Sequence, residues 1–139
     1  MEKKQYSEYL QRQVKMDKES IKYFLPSDIL KYFNILRIYE TINQTLSAPE
    51  IHIELEEINR IPEGYDESEY ESKGFYPTKS IQDFPIRGKA VYLKIKRRRW
   101  RHKVNKNEVI HNDYSMFSGG SKFTQELSDF LKDTGRYQS

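Results

Sequence analysis

The chain has 139 residues, enough for one domain with one modest core, and no cysteine, which excludes disulfides and thiolate metal sites. Hydrophobic residues make up 36% and charged residues 32%, so a thin core and a heavily charged surface are expected, while 14% aromatic residues argue against wholesale disorder. The net charge is only +3, yet it is segregated: residues 50–71 hold nine acids against Arg60 alone, and residues 84–107 hold ten Lys or Arg and no acid. Such segregation predicts a polarised surface, with one face open to an anionic polymer.

Residues 1–18 are polar and helix-prone, with Tyr6, Tyr9, Leu10, Gln13 and Val14 near one narrow face. Residues 17–25 read as a short amphipathic helix carrying Ile21, Phe24 and Leu25. Pro26-Ser27-Asp28 restarts the helix over 29–33, with Ser27 as N-cap. Residues 35–42 and 51–58 both alternate, and turn-like 43–49 lies between them, which predicts a β-hairpin. Residues 62–72 are acidic and aperiodic, contain Gly64, and read as a loop. A third strand is expected over 75–84, a fourth over 89–100, and a weak fifth over 109–117 after the polar turn 102–107. Ser118-Gly119-Gly120 breaks the chain, and Ser121 caps a helix over 122–133 whose Phe123, Leu127, Phe130 and Leu131 share one stripe, ended by Gly135. The expectation is one α+β domain: N-terminal helices within 1–34, a central antiparallel sheet of four to five strands within 35–117, with the acidic loop 62–72, and a C-terminal helix within 118–139.

The fourth strand carries the chemistry. Val91, Leu93 and Ile95 form one face; Tyr92, Lys94, Lys96, Arg98 and Trp100 form the other, and past Ile95 even the inward register turns basic with Arg97 and Arg99. Burying an unpaired cation is very costly, so this charge is expected to face water, phosphate or an acidic partner. Lys and Arg neutralise phosphates and release counterions, Arg reads guanine edges, and Tyr92 or Trp100 could stack on bases. The competing reading pairs the arginines with the acidic strand 50–58 and makes Trp100 a core cap. Enzymatic signatures are missing: there is no nucleophile motif or metalloprotease helix, and Gly119-Gly120 is a lone pair that reads as a linker. His52, His102 and His111 fall in no four-ligand set with finger spacing. No catalytic residue, metal or cofactor is therefore expected. No apolar run reaches the length of a membrane span, and a cytoplasmic location is expected.

The run IQDFPIRGKAVYLKIKRRRW resembles the N-terminal region of bacterial insertion-sequence transposases of the DDE class, in the family whose N-terminal module is a small zinc finger. The family's pattern D-[LF]-P-x-x-G-x-x-V-x-L-x-[LI]-x-x-R-R falls on Asp83, Phe84, Pro85, Gly88, Val91, Leu93, Ile95, Arg98 and Arg99. The later run TQELSDFLKDTGRY is similar to the end of short upstream reading frames in some of these elements. The resemblance covers roughly 26–137 and is strongest over 74–101. This chain departs from the family in having no cysteine; His102 stands where relatives have one after R-R-[FW]-x, and packing must replace zinc. The resemblance implies a DNA-binding N-terminal or accessory part that recognises terminal inverted repeats in duplex DNA. Three metal-binding carboxylates on a ribonuclease-like domain would then belong to a separate catalytic subunit. The expected contact residues are Arg87, Lys89, Lys94, Lys96, Arg97, Arg98, Arg99, Trp100, Arg101 and Lys103. A protein-interaction module docking that subunit through Tyr-rich faces, or a homo-oligomer contact, is the alternative.

Overall fold

The computed structural model describes residues 18–114 and 125–132. Helix α1 (Lys18–Ile21) runs into a 3₁₀ turn (Lys22–Phe24), and α2 (Ser27–Tyr32) leads directly into β1 (Phe33–Asn43). The remaining elements are β2 (Ala48–Glu57), β3 (Tyr70–Phe75), β4 (Lys79–Ile86), β5 (Lys89–Lys96), β6 (Arg98–His102), β7 (Val109–Ile110) and α3 (Gln125–Lys132). The expected fifth strand over 109–117 stops at Ile110, with 111–114 irregular; its residues 115–117, the arm expected over 1–18 up to residue 17, the Ser121 cap and the Gly135 stop lie outside the described residues.

The expected α+β layout is corrected. Strands dominate the described chain, and they form two sheets: one of four strands in the order β1-β2-β5-β4, the other of three in the order β3-β6-β7. The helices have only four, six and eight residues. The four-stranded sheet is mixed, since β1-β2 and β4-β5 are antiparallel but β2 and β5 run parallel, Glu50 opposite Ala90 through Glu56 opposite Lys96. Expected elements also change: the strand expected over 75–84 starts only at Lys79, with Phe75 left in β3. The acidic loop ends in a strand, β3, and the expected single strand over 89–100 divides at Arg97 between the two sheets. Ser27 opens α2 rather than capping it; Pro26 holds the cap position, and the first-turn amide of Ile29 donates to the Pro26 carbonyl at 3.0 Å.

The main core lies on one face of the four-stranded sheet. Ile53, Leu55, Ile81, Val91, Leu93 and Ile95 are its floor, and Ile21, Leu25, Ile29 and Phe33 with Leu127, Phe130 and Leu131 cover it. Period-two alternation supplies the floor, and the short amphipathic helices supply the lid. A second, smaller core is made by Tyr70, Trp100 and Ile110, with Ile61 against it. Between Ile95 and Trp100 the buried register changes parity. Odd positions are buried through Arg97 and the even position Trp100 afterwards, because the chain leaves one sheet for the other at that joint. The Tyr76 amide fastens the joint by donating to the Arg97 carbonyl at 2.8 Å.

Candidate nucleic-acid interface

The ten-cation segment passes through three environments. In β5, Lys89 is spent on Glu40, a buried carboxylate 3.0 Å from its Nζ. Lys94 Nζ donates to the Tyr39 hydroxyl at 2.6 Å and lies 5.2 Å from that ring's centroid. The parallel register sets Lys94 opposite Glu54 and Lys96 opposite Glu56, while Arg37 donates to Glu54 at 2.9 Å. This outer face is thus interlaced with both signs of charge. Tyr39, His52 and Tyr92 stack across it, with centroids 4.8 and 5.6 Å apart, and Thr41 Oγ1 meets His52 Nε2 at 2.7 Å. Burial, and then the Lys94 charge, lower the His52 pKa.

At the joint, the expectation that the cations stay exposed is corrected. Arg97 is 1% exposed; its guanidinium donates to the Asn112 carbonyl and lies over the rings of Tyr114 and Phe130, 5.1 and 5.7 Å from their centroids. Glu57, also 1% exposed, offsets that buried cation electrostatically. Its Oε1 accepts from the Arg98 amide at 2.7 Å, and its Oε2 accepts from Asn112 Nδ2 at 2.9 Å and from the Tyr114 hydroxyl. Burial raises the Glu57 pKa against the pull of those bonds and of Arg97; burial and the Glu57 charge raise that of Tyr114. Arg98 is fully engaged as well. It donates to the Glu57 carbonyl at 2.8 Å, to Ser72 Oγ at 2.9 Å and to Glu56 at 3.3 Å, and its guanidinium carbon lies 4.5 Å from the Phe75 ring centroid. Trp100, expected among the base-contacting residues, is fully buried and donates from Nε1 to Asn59 Oδ1 at 2.8 Å. Arg97, Arg98 and Trp100 are therefore framework residues.

The third environment is the outer face of the three-stranded sheet. Alternation along β3 and β6 puts Tyr70, Ser72 and Trp100 on the core side and Glu71, Lys73, Arg99 and Arg101 on the other. Arg99 is half-buried, and its Nε donates to the Lys73 carbonyl at 3.1 Å. Glu71 lies 3.8 Å from Arg101 and 3.4 Å from Lys106, one carboxylate shared by two cations. Lys103 is exposed on the turn after β6, and Arg87 is exposed on the β4–β5 turn, away from this sheet, with a positive φ of 49°. Of the ten expected contact residues, Arg99 and Arg101 lie on this face, and Lys103 follows on the turn, where its charge acts on Asp66. Lys106 joins them through Glu71, and Lys73, exposed at the register break between Ser72 and Phe75, adjoins Arg99 through its carbonyl.

Among the described residues, no group of three or more His, Asp or Glu side chains is placed to hold a metal ion, and no helix is long and apolar enough to cross a membrane. Comparison with protein-family models, with curated proteins and with solved structures returns no match.

Proposed function

We propose that this chain is the DNA-binding N-terminal or accessory part of an insertion-sequence transposase, recognising terminal inverted repeats without cutting DNA itself. The interface is the outer face of the three-stranded sheet. One observation carries the reading: β3 and β6 bring Lys73, Arg99 and Arg101 to that surface with Lys106 beside them, and Glu71 is the one carboxylate in either strand. Four cations around one acid, on a short antiparallel ribbon, match what a phosphate backbone requires, and such a ribbon fits the major groove. The resemblance of residues 74–101 to transposase N-terminal regions supports the same reading, and the cleavage chemistry would then reside in a separate catalytic subunit.

Electrophoretic shifts on terminal-repeat and random duplexes over a salt series test it. Neutralising about four phosphates gives a slope of log affinity on log salt near roughly −3.6. Arg101→Glu should weaken binding to every duplex, and absence of any shift at low salt refutes the reading. A second reading, docking to a protein partner such as the catalytic subunit, is favoured by the aromatic pair Tyr23 and Phe24, both exposed beside α1. It is the one left standing if DNA does not bind.

A further inference from the structure

We infer that the turn joining β6 to β7 is the sequence-reading tip of this interface, with Val104 contacting a thymine methyl group between two phosphate-bound lysines. The inference rests on the DNA-binding reading above and assigns its specificity to one side chain. The turn follows directly from the cationic strand: Arg99 and Arg101 precede it, and Lys103 and Lys106 lie within it. One of its exposed residues is apolar, Val104 at 85%. An isolated exposed valine needs no explanation by itself. This one sits on a tip held more firmly than a plain connection requires.

Four contacts fix the tip. The Val104 and Asn105 amides both donate to His102 Nδ1, at 3.1 and 2.9 Å. The Lys103 amide donates to the Glu69 carbonyl at 2.8 Å, and the His102 amide to the Glu108 carbonyl at 2.9 Å. Because Nδ1 accepts two amides, the imidazole proton sits on Nε2, which faces Glu69 Oε2 at 3.6 Å. The ring is itself packed edge-on against Tyr70, with centroids 5.2 Å apart. His102 is thus a positioning residue: it presents Val104 in one orientation, so little ordering entropy remains to be lost on binding.

A second turn of the same protein shows what charge adds. Between β1 and β2, Asn43 Oδ1 accepts from the Thr45 and Leu46 amides, both at 3.0 Å, and Leu46 is 74% exposed. The device and the aliphatic tip are alike, but residues 43–48 carry no charge. The β6–β7 tip combines the fixed apolar group with two flanking lysines, Lys103 and Lys106. A duplex major groove offers one apolar feature at base level, the thymine C5-methyl, so that is the group Val104 would meet.

The full-length chain should be used to enrich a pool of short duplexes with a randomised core, in parallel with Val104→Ser and, as a control, Leu46→Ser. Thymines of the enriched duplex are then replaced one at a time by uracil, which removes only the methyl. The parent and Leu46→Ser should lose roughly three- to tenfold in affinity at one or two positions, the worth of one buried methyl contact. Val104→Ser should bind thymine and uracil duplexes alike. His102→Leu, which removes the acceptor, should lose the discrimination while keeping the salt slope; His102→Asn, which copies Asn43, should restore part of it. If the parent enriches no preferred sequence, or if Val104→Ser responds to uracil as the parent does, the inference is overturned while DNA binding stands. If the parent shifts no duplex at all, the DNA reading falls and this inference with it.

Discussion

Replacing Glu57 by Ala tests whether the joint between the two sheets is a buried ionic hub. The substitution strips an acceptor from three donors, the Arg98 amide, Asn112 Nδ2 and the Tyr114 hydroxyl, and it removes a negative charge that acts on the buried Arg97 cation. A buried donor left unsatisfied costs ~1–3 kcal/mol, so three give at most ~9 kcal/mol. Relief from burying the carboxylate offsets part of that, so a loss of roughly 3–5 kcal/mol is expected. Against a total stability of about 5–15 kcal/mol, this is a large share. Trp100, the sole tryptophan and fully buried, provides the fluorescence signal for urea unfolding. Glu57→Gln keeps the shape and one acceptor, and should cost less, ~1–3 kcal/mol. The pair also separates in pH. Because burial raises the Glu57 pKa in the folded state, the native protein binds more protons than the unfolded chain between the ordinary 4.5 and that raised value. Parental stability therefore falls relative to Glu57→Gln as pH rises through this window. Asp83, whose pKa is also raised by burial, is present in both proteins and cancels. A loss below ~1 kcal/mol for Glu57→Ala would mean that the hub is wet, and the reasoning would fail.

Leu127→Ala, at a fully buried position of α3, should cost ~2–5 kcal/mol, and an unchanged melting temperature would detach α3 from the sheet. Melts with and without a strong chelator should coincide, since no thiolate is available; a large drop on chelation would restore His102 as a ligand. Lys96→Glu, beside Glu56 on the four-stranded sheet, should change duplex affinity far less than Arg101→Glu; equal losses would move the interface to that sheet.

Local periodicity carried much of the fold. The alternation of Val91, Leu93 and Ile95 marks the floor of the main core, and the alternating segments around 43–49 mark the β1–β2 hairpin. The parallel pairing of β2 with β5 left no local trace, because period two says which face a residue takes and nothing about which strand lies beside it. The parity change at Arg97 was hidden by the uniform charge of Arg97-Arg98-Arg99. One residue did announce it: Trp100 falls in the polar register of the preceding strand, where so large an apolar surface has no reason to be. Read as a base-stacking group it pointed outward; read as a register marker it would have placed the break between the sheets. The burial of Arg97 was illegible for a different reason. Its compensation comes from Glu57, Asn112 and Tyr114, which are distant in sequence and meet only in the fold.

The same geometry decides where a charged ligand can be held. Acids in one third of the chain and bases in the next looked like two poles of a surface, but strands bring distant segments side by side. Pairing β2 with β5 interleaves Glu54 and Glu56 with Lys94 and Lys96, so the longest basic strand is largely neutralised by its neighbour. Opposite charges on adjacent strands stabilise the sheet modestly, and they also cancel the field that would draw a polyanion. The field survives only where the acidic strand does not reach. Beyond Arg97 the chain leaves β2 and pairs with β3, which offers Glu71 as its one carboxylate against Lys73, Arg99, Arg101 and Lys106. The break at Arg97 therefore does two things at once. It buries one arginine to lock the sheets together, and it carries Arg99 and Arg101 onto β6, away from Glu54 and Glu56 of β2.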